Sequence, residues 1–262
     1  MALVRIDHYP ETLQVNTAVY LILPDSEDLQ ARPLDQTPVL WLLHGLSDDA
    51  SAWQRYTNLE TLARELDFVA IMPSGGRSLY ADQANGQAYF TYLMEELPFY
   101  LQALFKLNMS RENSCIAGNS MGGYGAFKAA LNYPDRFRAA FSLSGALALG
   151  PAIDKSKAAS NAQLMHEMGM VFGGLEKITG SINDPLHWLE MAQANPEALP
   201  DLYAVCGDQD DLLPANRFFI AAAQRAGIPV NYREEPGRHD WYFWQAHLEG
   251  FIREVLMEGA DD

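Results

Sequence analysis

Three short stretches of this sequence hold side chains that could carry acyl-transfer chemistry together. Gly118-Asn119-Ser120-Met121-Gly122 offers a serine, Gly207-Asp208-Gln209-Asp210-Asp211-Leu212 offers carboxylates, and Glu235-Pro236-Gly237-Arg238-His239-Asp240 offers an imidazole. A neutral serine hydroxyl attacks a carbonyl only when an adjacent base takes its proton. An imidazole serves as that base when a carboxylate fixes its tautomer and stabilises the imidazolium. One member of each stretch must therefore reach one place.

Ser120 fits Gly-x-Ser-x-Gly, and its context says more than the pattern. The apolar run Cys115-Ile116-Ala117 precedes it and a helical pattern over 121–132 follows it. This is the strand–turn–helix setting in which a serine occupies a sharp, strained turn with its hydroxyl above the sheet edge. Gly118 and Gly122 are expected where side chains would collide with strand and helix, and Gly123, Gly125 and Ala126 extend a small face. The helix N-terminus would turn its dipole and free N–H groups toward developing negative charge. The alternative is a glycine-rich turn with no chemistry. His44-Gly45-Leu46 follows directly on the apolar run 39–43, and a loop there can aim a backbone N–H at an acyl oxygen. The expected oxyanion donors are Leu46 N–H and Met121 N–H, and losing one such donor typically costs about 10²–10³ in turnover. The His44 side chain reads as a buried histidine that holds this loop by a hydrogen bond.

Six histidines are candidates for the base. In a strand–turn–helix site of this kind the chain order is serine, acid, histidine. His8 and His44 come too early, His166 and His187 precede the next strand, and His247 falls inside the last helical pattern. His239 remains, in a loop between the last strand and the last helix, on the same sheet edge as Ser120. Three aspartates compete for the acid. A Gly-x-x-Asp spacing after the strand selects Asp210, with Asp211 second and Asp208 third, and the unused pair reads as solvated or helix-capping.

The elements that must position these groups alternate. Residues 15–23 (with 3–8 as pairing partner), 39–43, 68–72, 115–117, 137–143, 202–206 and 230–234 read as strands. Residues 58–66, 89–107, 121–132, 215–226 and 241–257 read as helices, and Pro98 is expected to kink or break the second. The uninterrupted apolar run 39–43 predicts a strand covered on both faces. The pattern is α/β: a mostly parallel central sheet flanked by helices, antiparallel at the edge where the first strands join without a helix. Residues 150–189 break the alternation and read as a small helical cap insertion in a single domain spanning 1–262. Leu164, Met168 and Val171 recur there at helical spacing. Ordinary packing and a cap whose soft Met side chains line an acyl pocket both remain open. Trp53, Tyr80, Trp241 and Trp244 are packing aromatics or stacking surfaces for a sugar or phenolic ring. Trp53, Met168 and Trp241 are the candidate substrate contacts.

Eighteen basic residues against 34 acidic ones give a net charge of −16 over 262 residues. Such a surface repels nucleic acid and anionic membranes and mildly disfavours anionic substrates. The two cysteines, Cys115 and Cys206, adjoin apolar runs and read as buried thiols, and no Cys/His spacing suggests zinc. Asp48-Asp49 and Asp210-Asp211 lack an EF-hand spacing, so no metal and no cofactor is expected. Residues 1–9 show no basic-then-apolar leader pattern, and no apolar run approaches the roughly 18 residues of a membrane span. The default expectation is a cytoplasmic protein with a small-molecule partner.

His44-Gly45-Leu46, Trp53, Thr57-Asn58-Leu59-Glu60, the stretch 118–126, Pro134 to Phe137, Ser144-Gly145, the stretch 207–213 and Gly237-Arg238-His239-Asp240-Trp241 with Trp244 carry a resemblance that covers residues 1–256. On these motifs the sequence resembles the esterase D family of α/β-hydrolases, and is most similar to its bacterial tributyrin-esterase branch. The resemblance implies an α/β-hydrolase fold and a serine carboxylesterase acting on short acyl chains through an acyl-enzyme. It assigns the nucleophile to Ser120, the acid to Asp210, the base to His239 and the oxyanion donors to Leu46 and Met121, with an acyl ester as substrate. It also favours a homo-oligomer. The family includes S-formylglutathione hydrolases, feruloyl and acetyl-carbohydrate esterases and mycolyl transferases. The formylglutathione branch carries a cysteine just after its Gly-Leu motif. Ser47-Asp48-Asp49 stands there in this chain, which ranks that activity below a simple esterase. A non-enzymatic alternative is a catalytically silent binding protein on the same fold.

Overall fold

The structure is a computed structural model that describes residues 1–25, 32–84, 86–149 and 162–257. In chain order it runs β1 (Ala2–His8), β2 (Thr17–Leu23), β3 (Val39–Leu43), α1 (Ala52–Tyr56), α2 (Leu59–Leu66), β4 (Val69–Pro73), α3 (Tyr89–Thr91), α4 (Leu97–Phe105), β5 (Ser114–Asn119), α5 (Met121–Asn132), β6 (Ala139–Leu143), α6 (Ala162–Phe172), α7 (Pro185–Gln193), β7 (Asp201–Gly207), α8 (Leu213–Ala226), β8 (Asn231–Glu235) and α9 (Trp241–Phe251). The strands form one eight-stranded sheet in the order β1-β2-β4-β3-β5-β6-β7-β8. The β1–β2 and β2–β4 pairs are antiparallel and every other pair is parallel.

Strand residues alternate between faces, so an all-apolar strand feeds two cores. On β3, Val39, Trp41 and Leu43 join a core shared with α4, α5, α7 and α8, whereas Leu40 and Leu42 join one shared with α1, α2 and α9. The parallel strands bring the C-terminal ends of β3, β5, β6, β7 and β8 to one edge. Leu46, Ser120, Ser144, Asp210 and His239 each follow one of these ends within a few residues.

Two regions depart from the sequence reading. Residues 89–107 form a helix in three parts, with a π-helical turn over Tyr92–Glu96 between α3 and α4. Pro98 has no N–H, and its ring crowds the carbonyl four residues back, at Met94; the wide turn that holds Met94 absorbs the mismatch without breaking the helix. The expected cap at 150–189 is built into the fold more deeply than a lid. Met168, Val171 and Phe172 of α6 are buried in the first core. The α7 helix packs against α5 and α8, with Trp188 fully buried and its ring 5.0 Å from that of Tyr124. Residues 150–161 of that insertion lie outside the described residues.

One charged side chain is sealed inside the first core. Lys128 of α5 is fully buried, donates to Tyr80 O at 2.8 Å and to Asn183 Oδ1 at 2.6 Å, and sits 4.0 Å from the Phe90 ring centroid. Burial pulls its pKa down to about 7, against the opposing field of Asp82. Unfolded lysine titrates near 10.4, so between about 7 and 10 the unfolded chain binds more protons and stability rises with pH; below about 7 the full cost of burying the ammonium is present. Lys128→Met is expected to remove this slope. Urea unfolding at successive pH values should show the wild type gaining on the variant by up to about 1.4 kcal/mol per pH unit above neutrality. A difference independent of pH would contradict it.

Candidate active site

Ser120 bridges β5 and α5 at φ +54°, ψ −115°, a backbone region that side-chain-bearing residues rarely adopt. The strain is held from both sides. Its N–H donates to Leu143 O at 2.9 Å, and its carbonyl accepts from Tyr124 N and Ala146 N, each at 3.1 Å. The flanking glycines permit the turn. A Cβ on Gly118 would lie 2.3 Å from Gly122 O, and one on Gly122 would lie 2.0 Å from Leu43 O. The α5 helix therefore touches the backbone at the end of β3, where the loop that carries Leu46 begins.

Four contacts fasten that loop. Leu43 O accepts from Trp53 Nε1 at 3.1 Å, and His44 O accepts from the Tyr80 hydroxyl at 3.1 Å. His44 Nε2 accepts from Gly75 N–H at 2.8 Å, so Nδ1 carries the proton and donates to Gly45 O at 2.7 Å. Burial lowers the His44 pKa, which keeps the ring neutral and able to accept. Neither Leu46 N–H nor Met121 N–H donates to another backbone group among the described residues. Met121 is the first residue of a helix whose opening N–H groups have no intrahelical partner.

The structure brings His239 and Asp210 to Ser120. His239 Nε2 lies 3.0 Å from Ser120 Oγ, and Nδ1 lies 2.9 Å and 3.1 Å from the two Asp210 carboxylate oxygens. A carboxylate on Nδ1 leaves the Nε2 lone pair facing the hydroxyl. Burial pushes the Asp210 pKa up, but hydrogen bonds from His239, from the Ser144 hydroxyl and from Leu212 N–H outweigh it and hold the carboxyl below its ordinary range. Of the competing aspartates, Asp211 is exposed, and Asp208 braces the histidine loop by accepting from Gly237 N at 3.1 Å. Gln209 N–H donates to Gly237 O at 2.9 Å, so the loops that carry Asp210 and His239 are joined backbone to backbone.

A cleft of about 460 Å³ opens on Ser120, walled by residues 45–48, Arg77, Asn119, His239, Asp240, Trp241 and Trp244. Trp241 thus faces the site. Trp53 and Met168 do not, and both are corrected as substrate contacts. Trp53 is fully buried, with its N–H spent on Leu43 O and its ring edge-on to Trp241 at 4.9 Å. Met168 is 4% exposed within the first core. Two residues given no role above matter here. Ser144, at φ +50°, supports Asp210 and accepts from Trp244 Nε1 at 3.1 Å. Its place directly after β6, on the edge that carries Ser120, was the available signal. Arg77, in the loop after β4, enters the cleft wall. Among the described residues no cluster of His, Cys, Asp or Glu is arranged to hold a metal, and no helix is long and apolar enough to cross a membrane.

A mostly parallel, helix-flanked sheet with a strained serine beside an imidazole at its C-terminal edge is the arrangement of the α/β-hydrolases, and the chain is a serine esterase of that fold. It belongs to the esterase family whose description is "Putative esterase", matched over residues 11–254. An acetyl esterase of Caldicellulosiruptor saccharolyticus is 30% identical over 254 residues, covering 95% of this chain and 96% of the relative. Two solved Staphylococcus aureus structures are also similar at 30% identity. One is fluorophosphonate-binding serine hydrolase F with substrate bound (TM-score 0.85, 100% of this chain and 99% of that one). The other is the apoenzyme of an S-formylglutathione hydrolase (TM-score 0.82, 97% and 98%).

The contact at Gly122 yields a direct test. Gly122→Ala forces a methyl group onto the Leu43 carbonyl, and overpacking of this kind costs about 1–3 kcal/mol or more. Chemical denaturation should show a loss of that size, and a variant as stable as wild type would contradict the close approach.

Proposed function

We propose that the chain hydrolyses short-chain acyl esters, with Ser120 as nucleophile, His239 as general base and acid, and Asp210 as the orienting carboxylate. The observation that carries this reading is the continuous hydrogen-bonded path from Ser120 Oγ through both ring nitrogens of His239 to Asp210. Ser120 Oγ attacks the ester carbonyl as its proton passes to His239 Nε2, and the imidazolium is stabilised by Asp210, which stays ionised. The carbonyl oxygen, now an anion, is received by the N–H groups of Leu46 and Met121 at the α5 N-terminus. Collapse of the tetrahedral intermediate breaks the ester C–O bond, and His239 returns the proton to the leaving alcohol. Water then repeats the attack on the acyl-Ser120 ester and regenerates the serine.

The acetyl esterase relative supports a short acyl group. The region after the oxyanion motif, Ser47-Asp48-Asp49, supports a simple ester over formylglutathione. Asp48 stands in the cleft wall, its pKa raised by burial and by the neighbouring Asp49.

Ser120→Ala should leave the fold intact and lower kcat on p-nitrophenyl acetate and butyrate by about 10⁴ or more. A fluorophosphonate probe should label wild type and not the variant; an unlabelled wild type would favour a silent binding protein. Asp210→Asn is expected to cost about 10⁴ in kcat, because the amide presents the wrong tautomer of His239 to Ser120. If Asp211→Asn or Asp208→Asn produces that loss instead, the acid is misassigned. Across acetate, butyrate, octanoate and laurate, turnover should fade with chain length; formylglutathione or an acetylated xylo-oligosaccharide winning by orders of magnitude would move the substrate and leave the chemistry in place.

A further inference from the structure

Among the described residues the cleft wall holds one guanidinium, that of Arg77, and its charge is already engaged from outside the catalytic loops. Arg77 Nε and Nη2 both donate to Glu167 Oε2 of α6, at 3.2 Å and 2.5 Å, while Nη1 donates to Leu46 O at 3.3 Å. Gln163, one turn earlier on α6, donates to the other Glu167 oxygen at 3.3 Å. The Nε–Nη2 edge of a guanidinium is a natural clamp for a carboxylate. Here a carboxylate of the protein occupies it. The other titratable carboxyls among the described residues of the cleft wall are those of Asp48 and Asp240.

We propose that Glu167 sets the charge specificity of the cleft: by occupying Arg77 it makes the site select uncharged acyl esters and turn away esters that carry a carboxylate. This rests on the Ser120 esterase reading. Without Glu167, Arg77 would be an exposed cation at the mouth of the cleft, next to the residue that supplies an oxyanion N–H, and anionic esters would be drawn to it. With Glu167 in place, the Arg77 charge is offset by an adjacent carboxylate on a chain whose net charge is acidic. The hydrogen bond from Arg77 holds the Glu167 carboxyl below its usual range. Glu167 acts through Arg77 and touches no reacting atom. It is a positioning residue for the cleft's only described guanidinium.

The test compares matched charged and neutral esters. One pair places the charge on the acyl side, mono-p-nitrophenyl succinate against p-nitrophenyl methyl succinate. The other places it on the alcohol side, 4-acetoxybenzoate against its methyl ester. The readout is the ratio of kcat/KM, anionic over neutral, which a general loss of activity does not move. Glu167→Gln keeps the shape of the side chain and is expected to raise that ratio about tenfold for the pair whose carboxylate reaches Arg77, with the gain shrinking in high salt. Arg77→Gln in the Glu167→Gln background should abolish the gain, and Arg77→Gln alone should not raise the ratio. Wild type that already prefers the anionic member, or a Glu167→Gln ratio unchanged for both pairs, overturns the proposal. Failure of the underlying esterase reading is separately visible as neutral-ester turnover that survives Ser120→Ala.

Discussion

At the junction of α5 with the end of β3 there is no room for a methyl group, and the active-site geometry follows from that contact. Gly122 rests on the Leu43 carbonyl, which also accepts the Trp53 N–H. The start of α5 and the start of the Leu46 loop therefore meet at one tight backbone contact. Ser120 lies on one side of it and Leu46 on the other. Catalysis by fixed dipoles requires that donors be in place before charge develops, because a donor that must reorganise returns much of what it contributes. A backbone-to-backbone contact is the stiffest way to meet that demand.

The second half of the site is tied by loops. Asp210 and His239 follow different strands, β7 and β8, and the paired 207–209 and 235–237 segments hold them as a unit. Asp210 remains ionised although buried because its lone pairs are satisfied by the ring N–H of His239, the Ser144 hydroxyl and Leu212 N–H. The strained backbone of Ser120 persists for the same kind of reason: three backbone hydrogen bonds over-determine it.

Much of this was legible in the residues. The α5 boundaries follow from a glycine-rich start and the Tyr133-Pro134 stop, and β3 from an apolar run that only a doubly covered strand can bury. Spacing after the strand selected Asp210 over Asp208 and Asp211, and Asp210 lies within hydrogen-bond distance of His239. Trp53 was misread because a tryptophan in an amphipathic stretch looks the same whether its ring meets a ligand or Trp241. Met168 could not be assigned between core and pocket, since helical periodicity reports that a face is buried and not what buries it. Arg77 was invisible because its importance lies in a contact with Glu167, ninety residues away. The π turn before Pro98 was hidden because a proline signals a lost hydrogen bond without specifying how the helix absorbs it.

The two outer strands of the sheet bear on how copies of this chain can meet. β1 presents Arg5 and Asp7 as an exposed ion pair at one edge, and β8 presents Arg233, Glu234 and Glu235 at the other, with Arg217 of α8 reaching Glu234. Edge strands with unpaired backbone groups are templates for growth unless charge makes a neighbouring strand costly to seat. Both ends of this sheet carry such charge, and the strongly acidic chain adds repulsion between copies. Continuous β-structure running from one molecule into the next is thereby disfavoured at either end.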